Sequence, residues 1–396
     1  MFYYLVLFLT FLLVLYILFL ASMRIYHPFW SIQPVYHFYD LKYLWKSGVI
    51  DKNLPEKNRY VNITNVEVKN IKDITNYELK KSVYFIQDHY LNLKDIVYKP
   101  SIKNISSYFE NHNDNCYFSF YKKVNYLVEK KSDDVLSPKE IIGLVTSRPI
   151  YLHFFKKSKQ KSLNVYYIDY LCLHKDHRNK NIVPELLQTH EYKQRRLNRK
   201  VNVCLFKRED HIMFIMPIVL YNAYCYEMKN IINKPLKQCY KCKLINNKNS
   251  NLMLNLLDKI KNKFSLFAIV SLSNILTLIE NKVYYVYVLI YNNEAISLYF
   301  YRDTMVYYNN KPTVELFASI CNCNIDLFYF GFIKSYINIS KYLKAPYLIL
   351  EELSHNVYLN KYLENNEKIL FKTPYSYYLF NYSSEIYKKE KVCIII

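Results

Sequence analysis

The stretch Tyr166–Leu187, YYIDYLCLHKDHRNKNIVPELL, decides how this chain is read. Its first part, ending near Leu173, is an apolar and aromatic run with strand character. A polar, basic turn follows, and from Ile182 the positions Ile182, Val183, Leu186 and Leu187 take up helical spacing. A strand thus hands a cationic turn to a helix start. The first amides of a helix lack intrahelical acceptors and lie at the positive end of its dipole, so a turn carrying Lys175, Arg178 and Lys180 suits phosphate groups. A solvated basic loop between two buried elements would read the same way, which keeps the anion site an expectation.

The surroundings narrow the choices. A chain of 396 residues with 52% hydrophobic and 17% aromatic content is globular and long enough for one large or two ordinary domains. Its net charge of +21 suits nucleic acid, an anionic membrane face or an anionic small molecule. No compact nucleic-acid motif accompanies that charge, so no nucleic-acid partner is expected. Gly48, Gly143 and Gly331 are the only glycines, which excludes a Walker loop and a dinucleotide fingerprint.

From Phe2 to Ser22 the chain is almost wholly apolar, and about 20 such residues cross a bilayer. Arg24, Lys42 and Lys46 follow the run and no charge precedes it, so the expectation is a single-pass membrane anchor with the body facing the cytosol. The 9 cysteines, odd in number and scattered, fit a reducing compartment better than a disulfide framework. Cys239, Cys242, Cys321 and Cys323 could be imagined as a zinc site, but C-x-C is a poor second pair and no metal is expected. Cys393-Ile-Ile-Ile396 has the shape of a prenylation box and equally that of a terminal buried strand.

Along the chain, Tyr26–Val35 reads as an extended arm and Glu78–Leu91 as a helix. Short strands are expected at Tyr117–Tyr121, Val124–Val128, Ile141–Thr146, Tyr151–Phe155 and Val201–Phe206. Lys229–Asn251 reads as a connector and Leu252–Glu280 as a helical region. Strands follow at Val283–Tyr291 and Ala295–Tyr301, a helix at Ile325–Leu343, and strands at Tyr347–Leu350, Lys368–Lys372, Tyr375–Tyr382 and Val392–Ile396. Two successive units of strands, helix and strands imply an α/β (α+β) architecture in two similar lobes.

The central block also resembles the signature of the N-myristoyltransferases, E-I-N-F-L-C-V-H-K followed by R-S-K-R-L-A-P. Residues 167–175 read Tyr-Ile-Asp-Tyr-Leu-Cys-Leu-His-Lys, and Arg178-Asn-Lys-Asn-Ile-Val-Pro184 follows at identical spacing. Phe29-Trp-Ser-Ile-Gln-Pro-Val35 is similar to the family's F-W-D-T-Q-P-V arm. Asp114-Asn115 with Phe118 and Phe120, Ile142-Gly143, Glu352-Leu353 with Asn356, and Tyr377–Asn381 resemble further family blocks in order, so the resemblance covers about Phe29 to Ile396.

That resemblance implies a tandem GNAT-like acyl-CoA N-acyltransferase fold, which the apolar N-terminal run precedes with one transmembrane helix. Residues 1–24 would be the anchor, 25–56 the arm, 57–235 the acyl-CoA lobe and 236–396 the peptide lobe. Myristoyl-CoA would be a co-substrate with no permanently bound cofactor, and the partners would be N-terminal glycine peptides or proteins and a membrane reached through residues 2–22. Phe29, Trp30, Leu171, Cys172 and Leu173 would contact the acyl-CoA, with its phosphates on Arg178, Asn179, Lys180, Asn181, Ile182 and Val183. The backbone amides of Tyr170 and Leu171 would polarise the thioester, and the carboxylate of Ile396 would be the base. Asp169, His211, Phe118 and Phe120 would face the acceptor.

The chain departs from the family at Asp169, where the family has asparagine, and at His211, which aligns with its threonine. A glycine-rich segment of the family is replaced by Lys368–Thr373. A GNAT-like enzyme for another acyl chain or amine, and a degenerate acyl-CoA binder, are the alternatives.

Overall fold

A computed structural model describes residues 2–91, 95–124, 127–128, 135–136, 139–156, 159–178, 181–212, 214–233, 235 and 239–396. The chain opens with helix α1, Phe2–Tyr26, none of whose residues is buried. Its mean hydropathy of 2.8 and its 25 residues make it long and apolar enough to cross a membrane. Thr75 caps the next helix, Asn76–His89, in a reciprocal box with Glu78 and so fixes its start.

Strands β1 (Tyr117–Val124), β2 (Lys139–Lys156) and β3 (Lys159–Leu173) then form an antiparallel sheet. Helix α2, Ile182–Leu197, crosses back so that β4, Cys204–Glu209, runs parallel to β3. Strand β5, Val219–Glu227, ends this half. Strand β6, Leu266–Ile269, joins the edge of β2.

The same order then recurs. Strands β7 (Tyr284–Tyr291), β8 (Glu294–Tyr308) and β9 (Lys311–Cys321) are antiparallel. Helix α3, Ile325–Leu343, crosses back, and β10, Tyr347–Glu351, runs parallel to β9. The chain closes with β11, Lys368–Phe380, and β12, Val392–Ile395. Two similar halves in a mixed α/β fold are therefore borne out.

The halves are tied by exchanged strands. β5 of the first lies between β10 and β11 of the second, and β11 lies between β5 and β4. One continuous sheet results, and helices cover it. On α3, Phe328, Phe332, Tyr336 and Ile339 recur at helical spacing and bury against Tyr299, Tyr301 and Leu348. Among the described residues no group of side chains is arranged to hold a metal ion.

Several boundaries differ from the sequence reading. Ile141–Thr146 and Tyr151–Phe155 are one strand that runs through Pro149, and Lys368–Lys372 and Tyr375–Tyr382 are likewise mostly one. The connector contains a strand at Tyr240–Leu244, and Leu252–Glu280 divides into helix Ser250–Ile260, strand β6 and helix Leu272–Glu280. Strand β9 and the helix Asn356–Asn366 have no counterpart in the sequence reading. The arm is not wholly extended, because Trp30–Ile32 makes a 3-10 turn. The expected strand at Val124–Val128 includes residues 125 and 126, outside the described residues.

Candidate active site

The central stretch folds as strand, short turn and helix, and its strand carries a local irregularity. β3 pairs with β4 only through Tyr166, Tyr167 and Ile168. Beyond that point β4 continues along β11, pairing Lys207–Glu209 with Tyr377–Tyr375, while β3 continues along β2. The two parallel strands therefore splay and leave a wedge. On the wedge, Asp169 pairs with Thr146 and Cys172 with Leu144, so Tyr170 and Leu171 together oppose Val145. This bulge turns on Tyr170, whose φ of +47° lies in the left-handed region that a bulky residue rarely adopts. Strain of this kind persists where surrounding structure enforces it, and it concentrates at functional sites.

The wedge opens into a cavity of about 880 Å³. Asp169, Tyr170, Leu171 and Ile396 share its wall. Ile396 is carried there by β12, which pairs parallel with β6, and β6 in turn pairs with β2. The residue is 4% exposed. At the arm side, Phe29 and Trp30 line the cavity, with Trp30 stacked on Phe206 at 5.9 Å. Gln33 fixes the arm by donating from Nε2 to Gln188 Oε1 at 2.8 Å.

Asp169 is central to the electrostatics. Its Oδ1 accepts from the Tyr170 amide at 2.9 Å, and its Oδ2 lies 3.8 Å from Arg148 Nη2. Arg148 is buried between the rings of Tyr108 and Tyr167. Arg302, which also lines the cavity, bonds Glu315 and lies 3.4 Å from Glu351, whose Oε1 also takes Lys207 Nζ at 2.7 Å. Burial pushes the Glu315 carboxyl up, but Arg302 outweighs it and holds the group at about 2. Glu351 is raised by burial, against Lys207, with the charge of Glu315 adding to the rise. Burial also drives Tyr170 far above the ordinary phenol range.

The structure gathers only some of the residues singled out in the sequence. Phe29, Trp30, Asp169, Tyr170, Leu171, Arg178 and Ile396 line one cavity. Arg178 also donates from Nη2 to His89 O at 2.8 Å. Cys172, Leu173 and Ile182 are buried packing residues, and Val183 packs beside them, so their side chains do not line the cavity. Asn181 is the N-cap of α2 and makes no side-chain capping bond. Asn179 and Lys180 lie outside the described residues.

Phe118 is a core residue set edge-to-face against Phe109 at 4.7 Å, and Phe120 borders a separate cleft with Lys69, Glu78 and Lys122. His211 is exposed and pairs through Nδ1 with Ser376 Oγ at 2.7 Å, away from the cavity wall. The sequence reading missed Arg148, Lys207, Arg302 and Glu315. Arg148 and Arg302 had one available signal, a charged residue inside an apolar strand.

No protein family and no curated protein matches the chain by sequence. Solved structures do. Saccharomyces cerevisiae N-myristoyltransferase with bound myristoyl-CoA superposes with a TM-score of 0.70 at 12% identity, covering 93% of this chain and 99% of that one. A second structure of the same description gives 0.73 at 12% identity, with coverages of 93% and 94%. A third, with bound myristoyl-CoA and inhibitors, gives 0.72 at 11% identity, with 95% and 98%. Through nearly its whole length, the chain shares the fold of these N-myristoyltransferases.

Proposed function

We propose that this protein transfers a myristoyl group from myristoyl-CoA to the amine of an N-terminal glycine. One observation carries the reading: a bulged strand end at Tyr170–Leu171 faces the same cavity as the buried terminal residue Ile396, in a fold shared with an acyl-CoA-binding enzyme.

The donor side follows from the wedge. The CoA chain enters between the splayed strands, with Phe29 and Trp30 against it. Its phosphates lie on the turn Arg178, Asn179, Lys180, Asn181, Ile182 and Val183, where free helix amides and cationic side chains favour anions. The thioester carbonyl accepts from the amides of Tyr170 and Leu171, and such donors typically contribute about 10²–10³ in rate each.

On the acceptor side the glycine ammonium comes to Asp169. The carboxylate of Ile396 takes one of its protons, and the free amine attacks the thioester carbon. The tetrahedral intermediate collapses with cleavage of the C–S bond, its nitrogen gives up a second proton to the departing CoA sulfur, and an amide and the CoA thiol form without an acyl-enzyme. Asp169 links the two halves of the step. An ammonium competes with the Tyr170 amide for its carboxylate, so arrival of the acceptor releases that amide to the thioester oxygen. Residues 57–235 then carry the donor side, and 236–396 the terminal base. His211, Phe118 and Phe120 have no part in the step.

On the same reading, α1 holds the body at a membrane through residues 2–22, with the body on the cytosolic face. Phe19 packs on Phe38 and Tyr39 at 5.9 and 5.7 Å, and Tyr16 donates to Tyr39 O at 3.2 Å, so the helix meets the body at a defined place. Nearby Leu41, Leu44 and Trp45 are exposed beside Lys42 and Lys46, the mixture that settles at a bilayer interface.

The test is an assay of the full chain in lipid nanodiscs with radiolabelled myristoyl-CoA and a Gly-initiated peptide. Stoichiometric N-myristoyl peptide and free CoA are expected. Retained CoA binding without transfer to that peptide overturns the reading.

A further inference from the structure

Arg148 poses a problem that the acyl-transfer step does not use. It interrupts the apolar strand β2 in the sequence Ser147-Arg148-Pro149, directly opposite Tyr167 of β3. It is 1% exposed. A buried guanidinium is costly unless its donors are met. Among the described residues its ion partner is Asp169, and the 3.8 Å separation exceeds hydrogen-bond length. Among the described residues Nε and Nη1, both buried, have no hydrogen-bond partner. The rings of Tyr108 and Tyr167, with centroids 4.7 and 5.3 Å from the guanidinium carbon, attract the charge through their faces but leave the Nε and Nη1 donors without a hydrogen-bond acceptor.

A buried cation, two of whose donors are unmet, therefore borders the cavity in which the amine is to react. Its planar fork suits a carboxylate, which can take two parallel hydrogen bonds. The neighbouring Asp169 carries the opposite charge. The pair thus presents a negative and a positive point side by side, the complement of a molecule with an ammonium and a carboxylate close together.

We propose that the acceptor bound here carries a carboxylate near its reacting amine, read by Arg148 while Asp169 holds the ammonium. A free α-amino acid such as glycine has this chemistry, and so does a peptide whose N-terminal glycine is followed by an acidic residue. The inference rests on the acyl-transfer reading and names the acceptor class for it.

The test compares three product-like ligands by calorimetry on the full chain in nanodiscs: N-tetradecanoylglycine, its amide, and the α-amide of N-tetradecanoylglycyl-aspartate, whose one carboxylate is the aspartate side chain. One of the two carboxylate-bearing ligands is expected to bind at least ten-fold more tightly than the amide, and which one does so identifies the source. Arg148→Met should remove that ratio and Arg148→Lys should keep part of it. The wild-type ratio and the lysine variant remain informative if the methionine variant fails to fold. Equal affinities in the wild type, no binding of any ligand, or a ratio that survives Arg148→Met overturns the proposal. A uniform loss for all three in Arg148→Met also overturns it, and assigns the guanidinium to the carboxylate of Ile396 instead. Failure of acyl transfer to every amine removes the activity but leaves this binding preference separately readable.

Discussion

At Asp169 two demands meet on one carboxylate. It accepts the Tyr170 amide at 2.9 Å, and on the proposed step it must also receive the acceptor ammonium. A hydrogen bond to a charged group contributes about 1.5–3 kcal/mol, so Asp169→Asn should raise the acceptor KM by about ten-fold or more. Steady-state kinetics at saturating acyl-CoA measures this, and an unchanged KM contradicts the assignment. The signature block singles out Tyr170 and Leu171 because it keeps its spacing, and the structure puts both on the cavity wall. The bulge itself was not legible, since a left-handed φ at tyrosine has no pattern signal. Arg148 was hidden for another reason: Ser-Arg-Pro reads as a break between two strands, whereas the strand continues and buries the charge. The resemblance singles out Phe118 and Phe120 for the acceptor, and the structure packs both into the core, since an aromatic strand face packs inward as readily as it lines a groove.

Among elements, the geometry of the wedge depends on how α2 and β3 sit on β2. Gly143 is their contact point, since a Cβ there would come within 2.8 Å of Leu173 Cδ2 and 3.3 Å of Leu186 Cδ2. Leu173 ends the strand just after the bulge, and Leu186 is on α2. Gly143→Ala should therefore cost about 1–3 kcal/mol through overpacking and weaken acyl-CoA binding by shifting the bulge. Thermal unfolding and calorimetry with myristoyl-CoA check both effects, and a variant as stable as the wild type contradicts the contact. Helix α3 was read to the residue, because Asn324 caps it and its apolar spacing is regular. Leu252–Glu280 was misread because β6 is only 4 residues long and wholly apolar, and periodicity cannot separate so short a strand from a helix. The strand exchange between halves had no local signal, being a property of pairing across more than a hundred residues.

The whole molecule carries a pH dependence of its own. Burial lowers His112, His190 and His355 to about 4. Each is neutral when folded, while the unfolded chain takes up a proton below its ordinary value near 6.5. Their contribution is complete above pH 6.5 and is lost as pH falls toward 4, by about 1.4 kcal/mol per histidine for each pH unit. Denaturant titrations between pH 7 and 4.5 should show that decline, and a flat profile contradicts it. The proposed membrane seat is testable at Trp45, which is 83% exposed. Its fluorescence in Trp30→Phe protein should be quenched by brominated lipid in nanodiscs, and unquenched emission contradicts a bilayer seat for this surface.

The central claim is that the strand end at Tyr170–Leu171 and the terminus at Ile396 act together on an acyl thioester. Single-turnover transfer from radiolabelled myristoyl-CoA to a Gly-initiated peptide, run on the full chain with and without a few residues appended after Ile396, tests it most directly. The account predicts amide formation by the unextended chain and a loss of at least about 10² in rate on extension, with acyl-CoA affinity retained. Equal turnover by both forms would contradict it.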